Sequence, residues 1–518
     1  MNRVVTPLRR RLLLAALVLV LAAGCIFNHV AVQPVARSSD SLTVNTPVKA
    51  HLLDGSVVVY AGGVTVARDT LWGRGGRYGL DLGYRDTVVR MPLDSVLAME
   101  SYRTAVNGPL TFVVSTVAAA ATTLGTVVLL KAIFGSCPTV YADSAGTAVL
   151  QAESFSYSIA PLFEARDVDR LRVAADSDGV VRLELRNEAL ETHYLNAAAL
   201  LEVRHDADEF VVPDARGRPL AVTDAASPSR AVDRAGRDLR ATLRAADGDI
   251  FRTAAGRLAA VGPGDLDDAI DLTFAAPRDA DSVALVLRLR NSLLNTVLLY
   301  DQMLAARGAR SLDWMGRDLE RIGDAVELGQ WYHHAMGMRV AVWRDGAFAP
   351  AGYLPDVGPI AWKDVAAVLP VPPGADTLRV RLTFVADDWR IDRVALARAW
   401  RRPAVRVVPL AAVRDADGRD LPQATASLDS ADGRYFETRP GQRFTLEFRP
   451  GPATAPRTFL LAAQGYYIEW VRGAWIAVGR DSSRFTPGEP SLLAALRRWR
   501  AEQETFEARF AASRVPVR

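Results

Sequence analysis

Chemistry in a chain of 518 residues must come from acids, histidines, cysteines or glycine-rich turns, and few of these are spaced for it. Asp387, Asp388 and Asp392 form one acidic group. Paired carboxyls facing across a groove roughly 5 to 10 Å wide would supply the acid and base of glycan hydrolysis, whereas in a strand-turn-strand the same aspartates shape the turn. His193 and His205 lie near Glu191, Asp206 and Asp208 and offer a second cluster, against the ordinary role of a histidine as a satisfied or exposed side chain. His333 and His334 are adjacent, so on a helix they point about 100° apart and do not chelate one metal as an i, i+4 pair would. Asp415, Asp417 and Asp420 offer oxygens to a hard cation but lack the twelve-residue loop and distal glutamate of a calcium site. Gly73, Gly75, Gly76 and Gly79 lack the spacing and strand-to-helix context of a phosphate loop and read as a hairpin. The sequence contains no nucleophile elbow, zinc-binding histidine pair or paired cysteine ligands. We therefore expect no catalytic residue, metal or cofactor.

The residue type with the clearest chemistry is one of the two cysteines, Cys25 and Cys137. A basic start carrying Arg3, Arg9, Arg10 and Arg11 runs into the apolar block Leu12 to Ala23 and stops at Gly24-Cys25. An apolar run of about a dozen residues is too short to span a bilayer and has the layout of a secretory signal. Leu21-Ala22-Ala23-Gly24-Cys25 resembles the lipobox of bacterial lipoproteins, with Ala22 where that family most often has leucine. The resemblance implies cleavage before Cys25, a diacylglycerol thioether on its sulfur and an acylated new N-terminus, with palmitate-type chains. Two or more chains anchor a protein stably where one holds only marginally, each buried methylene contributing about 0.8 kcal/mol. Ile26 follows the cysteine in place of aspartate, which in lipoproteins of two-membrane bacteria implies release toward the outer membrane. Cys137 then has no intrachain partner and is expected to be a buried small apolar residue, so the envelope domains stand on packing without disulfides.

Elements must carry these residues, and their patterns divide the chain. Net charge is +3, which gives no sign of a nucleic-acid partner. Residues 1–24 are the signal and 25–47 a polar tether. Short alternating runs with an Asp54-Gly55 turn make 48–105 a small β-rich barrel or roll, weakly similar to Sm-like and SH3-like modules. Residues 108–135 hold an apolar helix, Leu110 to Phe134, long enough to cross a bilayer and equally consistent with a core helix. The stretch from Gly135 to Tyr141 and from Leu150 to Glu164 resembles predicted bacterial lipoproteins of unassigned activity.

Alternating strands then predict a β-sandwich-like domain over 138–280. Three turns there and later, opened by Asp214, Asp233 and Asp415 and closed by Gly217, Gly236 and Gly418, fit type I hairpin tips. Residues 281–400 resemble a jelly roll, with a helical hairpin inserted at 292–335 whose apolar stripe is Leu312, Met315, Leu319, Ile322 and Val326. A further β-rich domain is expected over 401–482 and an amphipathic helix over 490–514.

The fold class is thus mainly β and multidomain, with one long apolar helix. The expected role is a lipid-anchored, non-enzymatic envelope protein that touches the membrane through its anchor and binds a protein or polysaccharide or scaffolds an assembly. The rival is an envelope glycan hydrolase using Asp387, Asp388 and Asp392. Mass spectrometry of the mature N-terminus is expected to show an acylated Cys25, and a mature chain beginning elsewhere with an unmodified residue would refute the anchor.

Overall fold

The computed structural model describes residues 41–79, 83–101, 138–319, 321–453, 455–478 and 487–517. The signal, Cys25, Cys137 and the apolar segment 108–135 lie outside the described residues. Among the described residues no helix is long and apolar enough to cross a membrane. What is described is mainly β, in five sheets with a helical cluster between them.

The longest strand pair sets the frame. Glu191–Arg204 runs antiparallel to Arg457–Glu469, in register from Glu191 opposite Glu469 to Arg204 opposite Arg457, with a bulge after Leu195. Both strands are buried along nearly their whole length, as expected of strands covered on both faces. Their sheet faces a second one built from Leu410–Arg414, Arg443–Phe448, Val181–Arg186, Thr139–Ser144 and Thr147–Glu153. Leu183, Leu185, Leu200, Phe444, Phe448 and Leu461 fill the space between the two sheets. The first sandwich is therefore assembled from both ends of the β-rich chain.

A second sandwich is inserted between these ends. Its sheets are Phe210–Pro213, Pro219–Ala226, Trp389–Arg401, Ser282–Asn291 and Lys363–Pro370 on one side, and Arg230–Asp233, Asp267–Ala275, Thr377–Val385, Met338–Arg344 and Ala347–Leu354 on the other. Leu285, Leu287, Val340, Leu382, Phe384 and Ile391 make its core. The boundaries expected near 280 and 400 thus cut through paired strands. Local patterning marks each strand but carries no information on a partner far along the chain, so a linear division does not follow the pairing.

The helical insertion lies where the sequence places it, between Ser282–Asn291 and Met338–Arg344. It is broken into short α, π and 3-10 turns from Leu294 to Asp318 and a helix at Ile322–Met336. Each π turn holds extra backbone and shifts the helical phase. Leu312, Met315 and Leu319 are accordingly buried, but Val326 is 48% exposed, and Ala325 and Leu328 face the core in its place. The C-terminal helix, Glu489–Ala512, buries Leu492, Leu496, Trp499 and Phe506 against this insertion.

The N-terminal sheet, Ser41–Val44 through Val96–Ser101, shares that same core and is extended by Val471–Arg472 from the far end of the chain. Part of the expected tether is a strand, Ser41–Val44, which pairs with Val64–Ala67. The glycine-rich run is a strand, Thr70–Tyr78, hairpinned to Tyr84–Pro92. Gly75 is required there because a Cβ would lie 2.7 Å from the Tyr60 and Val58 side chains.

Asp313 of the insertion ties down this sheet. Its Oδ1 accepts from the backbone N–H of Asn45 (2.9 Å), the N–H of Thr46 (3.0 Å) and the Thr46 hydroxyl (3.1 Å). Replacing a buried acceptor leaves its donors unpaired at a cost of about 1–3 kcal/mol. Asp313→Ala is expected to destabilise by about 3 kcal/mol and Thr46→Val by about 1 kcal/mol. Denaturant unfolding of the two variants checks the order; equal, small losses would show that Asp313 does not hold the sheet.

Candidate functional site

The acidic group that suggested hydrolysis is structural. Asp387, Asp388 and Asp392 are 2%, 0% and 4% exposed. Asp387 sits at the turn before Trp389–Arg401 with φ +60°, its carboxylate accepting from both Arg390 Nη atoms (2.8 and 3.1 Å) and from Trp499 Nε1 (2.8 Å). Asp392 accepts from the Gly248 N–H (3.1 Å) and Arg288 Nε (3.1 Å). Asp388 Oδ2 accepts weakly from Asn291 Nδ2 at 3.4 Å while its Oδ1 is buried without a partner, and burial holds its carboxyl well above the ordinary range. These aspartates shape a turn and dock a helix; they do not line an open groove.

The histidine clusters dissolve in the same way. His193 is buried, with Nε2 2.7 Å from Glu191 Oε1 and Nδ1 3.1 Å from the Thr438 hydroxyl. His205 bonds the Asp206 carbonyl and the Thr458 hydroxyl, so the two rings do not converge. The Asp-to-Gly turns are hairpin tips, with Gly217, Gly236 and Gly418 at φ +71°, +84° and +81°. In the third, Asp415 Oδ1 accepts from the N–H of Asp417 and Arg419, while Asp417 pairs with Arg419 and Asp420 with Arg414. Among the described residues no cluster of His, Cys, Asp and Glu is arranged to hold a metal.

A site that the sequence pattern did not reveal lies where three modules meet. A cavity of about 350 Å³ opens between the segment 153–163 of the first sandwich, the helical insertion, and the loop 353–359 of the second sandwich. Its size falls within the usual range for small-molecule pockets, about 300–1,000 Å³, and module junctions are a common place for them. The wall is apolar and aromatic, with Ile159, Phe163, Leu299, Met303, Tyr332 and Tyr353 among its residues. Into this wall are set Glu153, Ser156, Asn295 and Asp356.

Each polar residue is placed by a local cause. Glu153 ends the strand Thr147–Glu153, and its Oε2 accepts from the N–H groups of Ile360 (2.6 Å) and Ala361 (3.0 Å). Gly358 allows this approach, since a Cβ there would lie 2.5 Å from Ser156 Oγ and 2.6 Å from Glu153 Cδ. Phe155, buried and at φ +44°, turns the chain so that Ser156 and Tyr157 reach the cavity. A non-glycine residue held at positive φ stores about 1–3 kcal/mol of strain, and such positions gather at functional sites. Asp356 Oδ2 accepts from the Tyr332 hydroxyl (2.6 Å) and from Asn295 Nδ2, and its Oδ1 from the Gly358 N–H (2.9 Å).

Three buried atoms on these lining residues have no hydrogen-bond partner: Glu153 Oε1, Ser156 Oγ and Asn295 Oδ1. Burial pushes the Glu153 carboxyl up to about 7, partly offset by the Ala361 and Ile360 N–H groups and Lys363, with Asp356 adding to the rise. Burial likewise raises Asp356 and Tyr332, and lowers His333 with help from His334. Titratable groups displaced by burial in a concave apolar site mark a candidate binding centre.

The Leu150 to Glu164 stretch supplies one wall, but its resemblance carried no function and gave no signal for Glu153 or Ser156. Asn295, Tyr332 and Asp356 carried none, since they reach the cavity only through the nesting of the modules.

The raised carboxyl gives a pH test. Glu153 titrates at about 7 in the folded chain and at about 4.5 unfolded, so the folded state holds the extra proton between those values. Its contribution to stability is complete below about pH 4.5 and is lost as pH rises through 7, amounting to about 3 kcal/mol at 1.36 kcal/mol per pH unit. Glu153→Gln keeps an acceptor for Ile360 and Ala361 but does not ionise. Its stability is expected to gain on the parent between pH 5 and 7 and to level off above that in thermal melts, and parallel curves would mean that Glu153 ionises normally.

No family model matches the chain, and a search of curated proteins finds no match either.

Proposed function

We propose that the chain is a lipid-anchored protein of the cell envelope, held through Cys25 in the outer membrane of a two-membrane bacterium, and that its β-rich modules bind a ligand without transforming it. The anchor reading rests on the signal layout and the lipobox resemblance. The binding reading rests on one observation: an apolar cavity at a three-way junction whose lining residues Glu153, Ser156 and Asn295 keep buried polar atoms without partners. Unpartnered buried polar atoms cost about 1–3 kcal/mol each, a cost that a ligand supplying the missing hydrogen bonds removes.

The cavity's volume suits one small molecule or a single unit of a larger one. A polysaccharide or protein partner would therefore present an end group or a side chain to it.

Native mass spectrometry of the protein purified from its own envelope tests this reading. A non-covalent small molecule is expected on the parent chain and absent from Gly329→Leu. That substitution adds bulk at a lining position whose Cβ would stand 3.1 Å from the Phe163 ring. Val326→Leu, on the exposed side of the same helix, serves as the control. A parent chain that carries no small molecule and takes up no neutral apolar dye such as Nile red would refute the binding reading.

A further inference from the structure

Charge decides which chemistry the cavity accepts. Its lining holds two carboxyl residues, Glu153 and Asp356, and neither lysine nor arginine. The cations that act on Glu153 from outside the lining are engaged elsewhere. Lys363 Nζ lies 2.5 and 2.6 Å from the two Asp167 oxygens and 3.1 Å from Asp169. Arg290, which feels the charge of Glu153, donates to the carbonyl oxygens of Pro359 and Asn291. His333 is kept toward its neutral form by burial. An anionic ligand would meet two carboxyls with no cation in the lining to balance it, which a buried site does not tolerate.

The unpartnered atoms point the same way. Glu153 Oε1 and Asn295 Oδ1 are acceptors, and the Ser156 hydroxyl can accept as well as donate. Asn295 is fixed in this sense because its Nδ2 is bonded to Asp356, leaving the oxygen as the free end. A ligand that satisfies these atoms brings several donors on one head. Around them stand Tyr157, Tyr300, Tyr332, Tyr353, Tyr467 and Phe163, and aromatic faces attract cations by about 0.5–2 kcal/mol each when desolvated.

Resting on the binding reading above, we infer that the cavity takes an organic amine: an ammonium head, donating to Glu153, Asn295 and Ser156, on a compact apolar body held by the tyrosine wall. The ammonium supplies both the missing counter-charge and the missing donors. A neutral hydroxylated molecule supplies only the donors, so selectivity for the cation is the mark of this assignment. Asp356 acts as a positioning residue: through Asn295 Nδ2 and the Tyr332 hydroxyl it orients one acceptor and one ring of the wall.

Isothermal titration of the detergent-solubilised full chain at pH 8 tests it with two isosteric probes, 2-phenylethylammonium and 2-phenylethanol. The amine is expected to bind at least about tenfold more tightly than the alcohol, a difference of about 1.4 kcal/mol. Glu153→Gln is expected to bring the amine down to the level of the alcohol, and a cooperative thermal melt of the variant separates lost charge from lost folding. Equal binding of the two probes, unchanged by Glu153→Gln and abolished for both by Gly329→Leu, would overturn the amine assignment while leaving the cavity a binding site. Binding of neither probe, together with no dye uptake, would overturn both.

Discussion

One long-range pairing governs the rest of the structure: Glu191–Arg204 against Arg457–Glu469. From Arg204 to Arg457 it closes a loop of about 250 residues, at an entropic cost of about 5 kcal/mol that the two buried strands must exceed by burial. Everything between them is obliged to leave and return at nearly the same place. The second sandwich meets this requirement by starting at Phe210 and ending at Arg401, strands that lie in one sheet on either side of Pro219–Ala226. The helical insertion leaves one sheet of this sandwich at Asn291 and returns in the other at Met338. Such nesting makes native contacts non-local, and slow folding is the physical consequence.

Nested modules meet along surfaces that have to be sealed, and this chain seals them with buried charges as well as apolar contacts. Glu100 of the N-terminal sheet accepts from Lys49 (3.0 Å), His51 (3.1 Å) and, across the junction, the Thr192 hydroxyl (2.8 Å). His51 stacks on Trp470 at 3.7 Å. Lys363 of the second sandwich enters between Asp167 and Asp169 of the first. Arg390 and Trp499 hold Asp387. Buried ion pairs give little net stability but are costly to break, so they specify which surfaces belong together more than they strengthen the whole. Tyr300 of the insertion donates to Glu469 at the end of the long ladder (2.7 Å), and burial pushes Glu469 and neighbouring Glu191 up to about 8.

Local signals in the sequence were read well because their causes are local. Asp-Gly and Asp-to-Gly turns require positive φ at one residue, and Gly55, Gly217, Gly236 and Gly418 adopt it. Alternation placed the strands Val48–Leu52, Val181–Arg186 and Thr377–Val385, and helical spacing placed the insertion and Glu489–Ala512. Which strands share a sheet was not legible, because Val181–Arg186 has the same apolar alternation whether its neighbour is nearby or, as found, Arg443–Phe448. The phase of the insertion was lost for a different reason: π turns shift the helical period, so Val326 left the stripe that spacing alone assigned to it.

The contrast between Asp387 and Glu153 shows why acidic clustering in sequence does not mark a site. Asp387 stands out in sequence because it clusters with Asp388 and Asp392, yet its oxygens are all engaged, by Arg390 and by Trp499 from the C-terminal helix. Its positive φ is offset by that docking, and Asp387 is an internal fastening. Glu153 stands alone in its stretch of sequence, and only one of its oxygens is engaged, by two backbone N–H groups. The other is left bare in a wall without cations, next to a strained Phe155 and beneath a glycine that leaves it room. Full satisfaction in a buried group argues for architecture. The same group left half-satisfied beside a cavity argues for something that arrives from outside, and in this chain that distinction separates the two acids more sharply than their spacing does.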